Sequence, residues 1–244
     1  MPTGTTHSVY STRLPVIDQV ACQTVNEIAV QCRGERTYRF SAETTALLVI
    51  DLQQEFFTDD IGDCADEMRA ILPRVGTILA LAREIGCRVI HTRETYQPDL
   101  SDVHAYRRSL NYVGVPGPLG RFNILGEPGH AFVDEVKPLP SETVIDKASF
   151  GAFYNTDLDQ QLNEAGIDHL ILCGVTTQCC VHSTLREAVD RGYWCLTVAD
   201  CCAASDPGMH DAALEIIAGE GHLFGWVSDA QDLQQAVAAS ASAS

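Results

Sequence analysis

The sequence predicts an α/β fold of three layers, with helices on both faces of a six-stranded, mostly parallel sheet. Continuous apolar runs such as "TALLVI" (45–50) and "HLILCGV" (169–175) read as strands buried on both faces. Segments with apolar residues at helical spacing lie between such runs. The two kinds alternate from residue 45 onward, which is the order that parallel strands joined by crossover helices require.

Residues 1–40 are polar and mixed, with a short strand candidate at "TYRF", and read as an extension over a domain spanning 41–235. The first buried strand is "TALLVIDLQ". The stretch "DEMRAILPRVGTILALAREIG" is predicted as one helix closing on Gly86, a residue suited to a left-handed cap. "CRVIHTRE" and "ETVIDK" are the next two strands. Between them residues 97–140 carry Pro98, Pro116, Pro118, Pro128, Pro138 and Pro140, and an insert this long points to a functional lid or an oligomer contact. The helix "NTDLDQQLNEAG" takes Asn155 as its N-cap and stops at Gly166. Strand "HLILCGV", helix "QCCVHSTLREAVDRG", strand "YWCLTVAD", helix "PGMHDAALEIIAGEG" and strand "LFGWV" follow. The low-complexity tail, 236–244, is expected to be flexible.

Composition narrows the function classes. A chain of 244 residues that is 45 % hydrophobic can bury a sizeable core. A net charge of −17 counts against nucleic acids and anionic membranes as partners, because phosphate binding needs a basic face. No apolar run approaches the roughly 20 residues of a membrane span. The opening "MPTGTTHSVYSTRLP" shows no basic stretch followed by an apolar core, so a cytoplasmic address is expected. Ten cysteines occur without a single C-x-x-C, which removes the main support for a zinc ribbon or a thioredoxin-like site. In a reducing compartment most of them are expected simply to pack.

Ligands of open parallel sheets bind beyond the carboxyl ends of the strands. Three chemically able residues fall at such ends: Asp51, Lys147 and Cys180. Each has an ordinary alternative, with Asp51 capping a turn, Lys147 lying on the surface and Cys180 filling the core. Together they make a coherent acyl-transfer site, in which the thiol attacks, the carboxylate takes its proton and the ammonium stabilises the thiolate. Cys179 is offset from Cys180 by about 100° in a helix and is expected to be a packed neighbour. A disulfide between the two would close a strained ring against the helical backbone, which disfavours a redox role. The tight "GVTT" turn leaves backbone amides for a developing oxyanion. Gln53 and Gln54 either contact substrate or satisfy the loop. His182 and His210 are further base candidates that the trio does not need, and Arg93 and Glu94 are placed to pair at the rim.

The blocks "LLVIDLQQEF", "VIDKASFGAFYNTDLD" and "LILCGVTTQCCVHSTLREAVDRGY" resemble, in order, the signature blocks of isochorismatase-like cysteine hydrolases. The resemblance implies catalytic roles for Asp51, Lys147 and Cys180, a non-proline cis peptide at Val175–Thr176, and an oxyanion hole from the amides of Thr176 and Cys180. Metal-binding members carry a D-x-H pattern where this chain has Glu94–Thr95–Tyr96, so no metal and no cofactor are expected. The chain looks most like biuret and triuret hydrolases, which implies a small ureide as substrate and ammonia as product. By the same likeness Phe56, Tyr193 and Glu220 would line the substrate site with Gln53. Glu220 stands where the biuret enzymes have a glutamine, and an acceptor-only carboxylate there would suit a longer, donor-rich ureide such as triuret. "FGWVSD" is also similar to ureidoacrylate amidohydrolases. A ureidoacrylate or N-carbamoyl amidohydrolase, or a non-catalytic α/β binding protein, is the alternative. The resemblance also implies a homodimer or homotetramer, oligomers being common in such families.

Overall fold

The computed structural model describes residues 27–58 and 65–243, so residues 1–26 of the expected extension and Ser244 lie outside it. The described residues form ten strands, in chain order β1 (Ile28–Cys32), β2 (Arg36–Phe40), β3 (Thr45–Ile50), β4 (Arg88–Glu94), β5 (Pro116–Gly117), β6 (Gly120–Arg121), β7 (Thr143–Lys147), β8 (His169–Val175), β9 (Trp194–Ala203) and β10 (Trp226–Ser228). The helices are α1 (Ala65–Ala70), α2 (Leu72–Glu84), α3 (Ala105–Leu110), α4 (Leu158–Glu164), α5 (His182–Asp190), α6 (Pro207–His222) and α7 (Ala230–Ala243).

Six strands form one sheet in the order β10-β9-β8-β3-β4-β7, and every neighbouring pair is parallel. The alternation of side chains along each strand supplies two cores. Leu47 and Val49 face one layer with Val75, Ile78 and Leu79 of α2 and Leu233 and Val237 of α7. Ala46, Leu48 and Ile50 face the other with Leu158 of α4, Leu185 of α5 and Leu214 of α6. All six residues of β3 are buried, as a central strand covered on both faces must be. The chain crosses from β3 to β4 on one side and supplies β8 on the other, so the topological switch point lies between β3 and β8. Among the described residues no helix is long and apolar enough to cross a membrane.

Several boundaries differ from expectation. The first long helix breaks at Ile71 and restarts with Pro73 in the first turn of α2, because proline has no N–H to give and crowds the carbonyl four residues back. Asn155 does not cap α4; it takes φ 55°, and Asp157 precedes the helix. The segment expected as helix from Gln178 starts as a π-turn over Thr177–Val181 before α5. The tail expected to be flexible continues α7 to Ala243, since its alanines favour helix and Val237 is buried. The part of the extension that is described, β1 and β2, forms an antiparallel hairpin whose Ile28, Val30, Tyr38 and Phe40 join the core. Residues 97–140 are tied down rather than loose. Tyr96 N donates to Asn123 O at 2.8 Å, Gln54 N to Ala131 O at 2.8 Å and Val133 N to Leu52 O at 3.0 Å.

Gly174 marks the closest approach of β8 to β3. It has φ 118°, and a Cβ built there would land on the backbone of Ile50. Gly174→Ala is therefore expected to cost about 3 kcal/mol or more through overpacking and backbone strain. Urea unfolding should show a large fall in midpoint, whereas the same change at Gly219, where a Cβ meets nothing within 4 Å, should be mild.

Candidate active site

Asp51 follows β3 directly and Lys147 closes β7, with β4 between these two strands. Lys147 Nζ donates to Asp51 Oδ2 at 2.7 Å and to the carbonyl of Ser149 at 2.9 Å. The other carboxylate oxygen, Oδ1, accepts from Thr92 Oγ1 at 2.6 Å. Thr92 stands opposite Ile50 in the β3–β4 register, so its hydroxyl falls naturally beside the next residue of β3. Both ions are almost fully buried, at 0 % exposure for Asp51 and 1 % for Lys147. Burial, the largest single influence, would lower the lysine's affinity for its proton, but Asp51 together with Cys180 and Glu94 outweighs it and holds the ammonium charged well above its ordinary range. Asp51 itself sits at φ 52°, a left-handed conformation that aspartate tolerates better than most residues.

The turn after β8 completes the trio. The Val175–Thr176 peptide is cis, and the Thr176 carbonyl accepts from both Cys179 N at 3.0 Å and Val181 N at 3.2 Å. This π-turn places the buried Cys180 thiol under the electrostatic influence of Lys147, Asp51 and Glu94. Its hydrogen bond with the Cys179 thiol, together with burial, pushes the Cys180 thiol up, while Lys147 pulls the other way. The resting nucleophile is thus a thiol, and a base must take its proton as it attacks. Cys179 is half-buried and packed against the core cluster that includes Leu185 and Leu214, the packed neighbour expected, and the adjacent Cys180 thiol is the largest influence lowering its pKa.

Asp51, Lys147 and Cys180 are therefore brought together, with Thr176 at the turn. Phe56 lies on the insert side, its ring against Phe122 at 5.4 Å. Phe122 lines a cavity of about 340 Å³ with Glu55 and Tyr112. Gln53 is nearby but occupied. Its Oε1 accepts from Glu94 N at 2.7 Å, and its Nε2 donates to Glu94 O at 3.1 Å and Glu55 Oε1 at 3.0 Å, so it fixes protein backbone.

Tyr193 and Glu220 are not part of this crevice. Tyr193 precedes β9, at the amino end of the sheet, and its hydroxyl donates to Asp159 Oδ1 at 2.9 Å. Glu220 sits in the non-helical end of α6 and shares with Tyr193, Arg36 and Trp226 a separate cavity of about 300 Å³. The ten residues of β9 put that cavity on the order of 25 Å from the trio. His210 Nδ1 lies 2.8 Å from Thr177 Oγ1 and braces the π-turn, while burial lowers the pKa of His182. Arg93 pairs with Asp146 at 2.7 Å rather than with Glu94.

Residues that sequence reading missed surround Glu94. Glu94 Oε1 accepts from Tyr96 OH at 3.0 Å and Tyr112 OH at 2.7 Å, with Arg107 Nη1 at 3.7 Å. The Arg107 guanidinium lies 3.2 Å above the Phe150 ring centroid. Burial raises the pKa of the Glu94 carboxyl, and Lys147 and Arg107 counter it. Arg107 and Tyr112 come from the insert, and no spacing in the sequence ties them to a strand end.

The isochorismatase domain family matches residues 45–232. A ureidoacrylate amidohydrolase, RutB, of Methylorubrum extorquens is 31 % identical over 212 residues, covering 81 % of this chain and 84 % of that protein. The crystal structure of an isochorismatase family protein from Desulfovibrio vulgaris superposes with a TM-score of 0.70 at 28 % identity, over 80 % of this chain and 99 % of that one. A cysteine hydrolase from Pseudomonas syringae pv. phaseolicola shares the fold at a TM-score of 0.73 and 24 % identity, over 82 % and 95 % of the two chains. The chain belongs to the isochorismatase family, with a six-stranded parallel sheet flanked by helices on both faces.

Two measurements test the electrostatics. Cys179→Ala should move the pH midpoint for alkylation of Cys180 by iodoacetamide to lower pH, since it removes the neighbour that raises the nucleophile; an unmoved midpoint would refute the coupling. The second concerns His130, which should make the fold less stable in acid. Burial, aided by the Arg93 charge, lowers its pKa to about 4. The unfolded chain binds that proton below about 6.5, so stability falls as pH drops from there to the folded value. At 1.36 kcal/mol per pKa unit the loss is roughly 3 kcal/mol. Urea midpoints between pH 7 and 4 should fall less steeply in His130→Gln.

Proposed function

We propose that this protein is a cysteine amidohydrolase that cleaves a C–N bond of a small ureide, of the triuret or biuret type, and releases ammonia. The observation that carries the reading is the lysine–aspartate pair, dry and hydrogen-bonded at 2.7 Å, beside the turn that holds Cys180. A buried ion pair of this kind is costly as a mere stabiliser, and it is well suited to moving one proton in a closed crevice.

Cys180 Sγ attacks the carbamoyl carbon as its proton passes to Asp51. The carbonyl oxygen becomes an oxyanion held by the amides of Thr176 and Cys180. The C–N bond then breaks, Asp51 returns the proton to the departing nitrogen, and ammonia leaves a thioester behind. Water adds to the thioester with Asp51 as base, and the carboxylated product departs as Cys180 regains its proton. Lys147 keeps Asp51 oriented and balances the negative charge that travels between carboxylate and sulfur.

A second substrate, ureidoacrylate, is favoured by the relative that carries that name. Ammonia release from biuret, triuret and ureidoacrylate by the purified protein tests both. Turnover of at least one is expected, and Cys180→Ala should lower it by a factor on the order of 10⁴ or more with unchanged circular dichroism. Full activity in Cys180→Ala, or no ammonia from any of the three, would remove the reading.

A further inference from the structure

The acceptor role that sequence reading gave to Glu220 has a better-placed claimant. Glu94 is the direct cross-strand partner of Lys147 in the β4–β7 register, and so shares its side of the sheet. Its backbone is clamped on both sides by the Gln53 amide. Oε1 is held by the two tyrosine hydroxyls, with Arg107 behind them. Oε2 has no hydrogen-bond partner among the described residues. Glu94 is only 3 % exposed, yet Asp51, Lys147, Cys179 and Cys180 all feel its charge.

An ionised carboxylate can only accept, and Oε2 is not among the fully enclosed polar atoms left without a partner, so an N–H donor of a guest can reach it. The charges point the same way: Asp51 pairs with Lys147 and Glu94 lies beside Arg107, while the Glu55 carboxyl, tied through Gln53, also stands near Glu94, so these groups leave no cation unmatched. A guest carboxylate would bring a further, unpaired anion into a buried space beside Glu94.

We infer that Glu94 is the specificity-determining residue, accepting N–H hydrogens of an uncharged carbamoyl substrate through Oε2 and rejecting carboxylate-bearing ones. The inference rests on the hydrolase reading for the identity of the substrate, but charge selection at the thiol can be measured without any turnover. It favours biuret and triuret over ureidoacrylate.

The experiment compares alkylation of Cys180 by neutral iodoacetamide and anionic iodoacetate, followed by peptide mass, in the wild-type protein and in Glu94→Gln. The wild-type thiol should disfavour iodoacetate more strongly than free cysteine does. Glu94→Gln, which removes one negative charge from the crevice, should narrow the iodoacetamide-to-iodoacetate ratio by about ten-fold or more. In turnover, the same variant should lower kcat/KM for biuret and triuret relative to ureidoacrylate by about 100-fold, whereas a merely structural role would lower all three alike. Should the variant fail to fold, the wild-type ratio alone decides, and equality with free cysteine overturns the inference. An unchanged ratio in a folded Glu94→Gln overturns it too. A changed ratio with no ureide cleaved sustains charge selection and removes the ureide reading instead.

Discussion

The ion pair between Lys147 and Asp51 reaches over an intervening strand, and much of the crevice is arranged to let it exist. The two residues end β7 and β3, which are not neighbours, so the lysine must pass above β4. Two charges taken out of water are tolerable only if nearly every donor and lone pair finds a partner. Thr92 from β4 and the carbonyl of Ser149 supply those partners. Three adjacent strands are thereby pinned at their carboxyl ends by one polar knot. The knot also explains why the insert cannot be a loose lid: if water entered freely, the pair would be screened and its orientation lost.

The central architecture was legible because its cause is local. A strand buried on both faces has to be almost continuously apolar, and β3 and β8 from Leu170 onward are; helices that cover them must be amphipathic, and α2 and α5 are. Asp51, Lys147 and Cys180 could be placed in one crevice because parallel strands put all their carboxyl ends on one side. That same rule argues against Tyr193, which begins a strand instead of ending one. Similarity of sequence blocks put it and Glu220 in the substrate site with the trio, whereas the direction of β9 places both in a separate cavity at the other end of the sheet. Glu94 was visible at a strand end, but its partners were not. Arg107, Tyr112 and the backbone ties at Asn123 and Ala131 arise from an insert whose path is fixed by tertiary hydrogen bonds, not by periodicity.

The nucleophile turn shows how a small local change redistributes roles. The chain enters α5 through a π-turn over Thr177–Val181 in place of the regular helix expected from Gln178, and the two adjacent thiols influence one another, with Lys147 acting on both. Thr177, pinned by His210 from α6, fixes that turn from behind. The turn that carries Cys180 is thus packed on α6, with the Thr177 hydroxyl–His210 imidazole contact as its side-chain hydrogen bond to that helix.

The hairpin that precedes the sheet carries a different kind of consequence. Ile28 and Val30 of β1 are buried with Leu233 and Val237 of α7, and Ser228 Oγ donates to Gln31 O across 197 positions of sequence. During synthesis the hairpin therefore emerges long before the surface it needs, and its apolar face stays wet until residue 237 has been made. The parallel sheet can assemble in the meantime, but one of its two cores cannot be sealed. Ribosome stalling or truncation ahead of α7 would leave a nearly complete domain with an open seam, the form of the chain most exposed to chaperones and proteases.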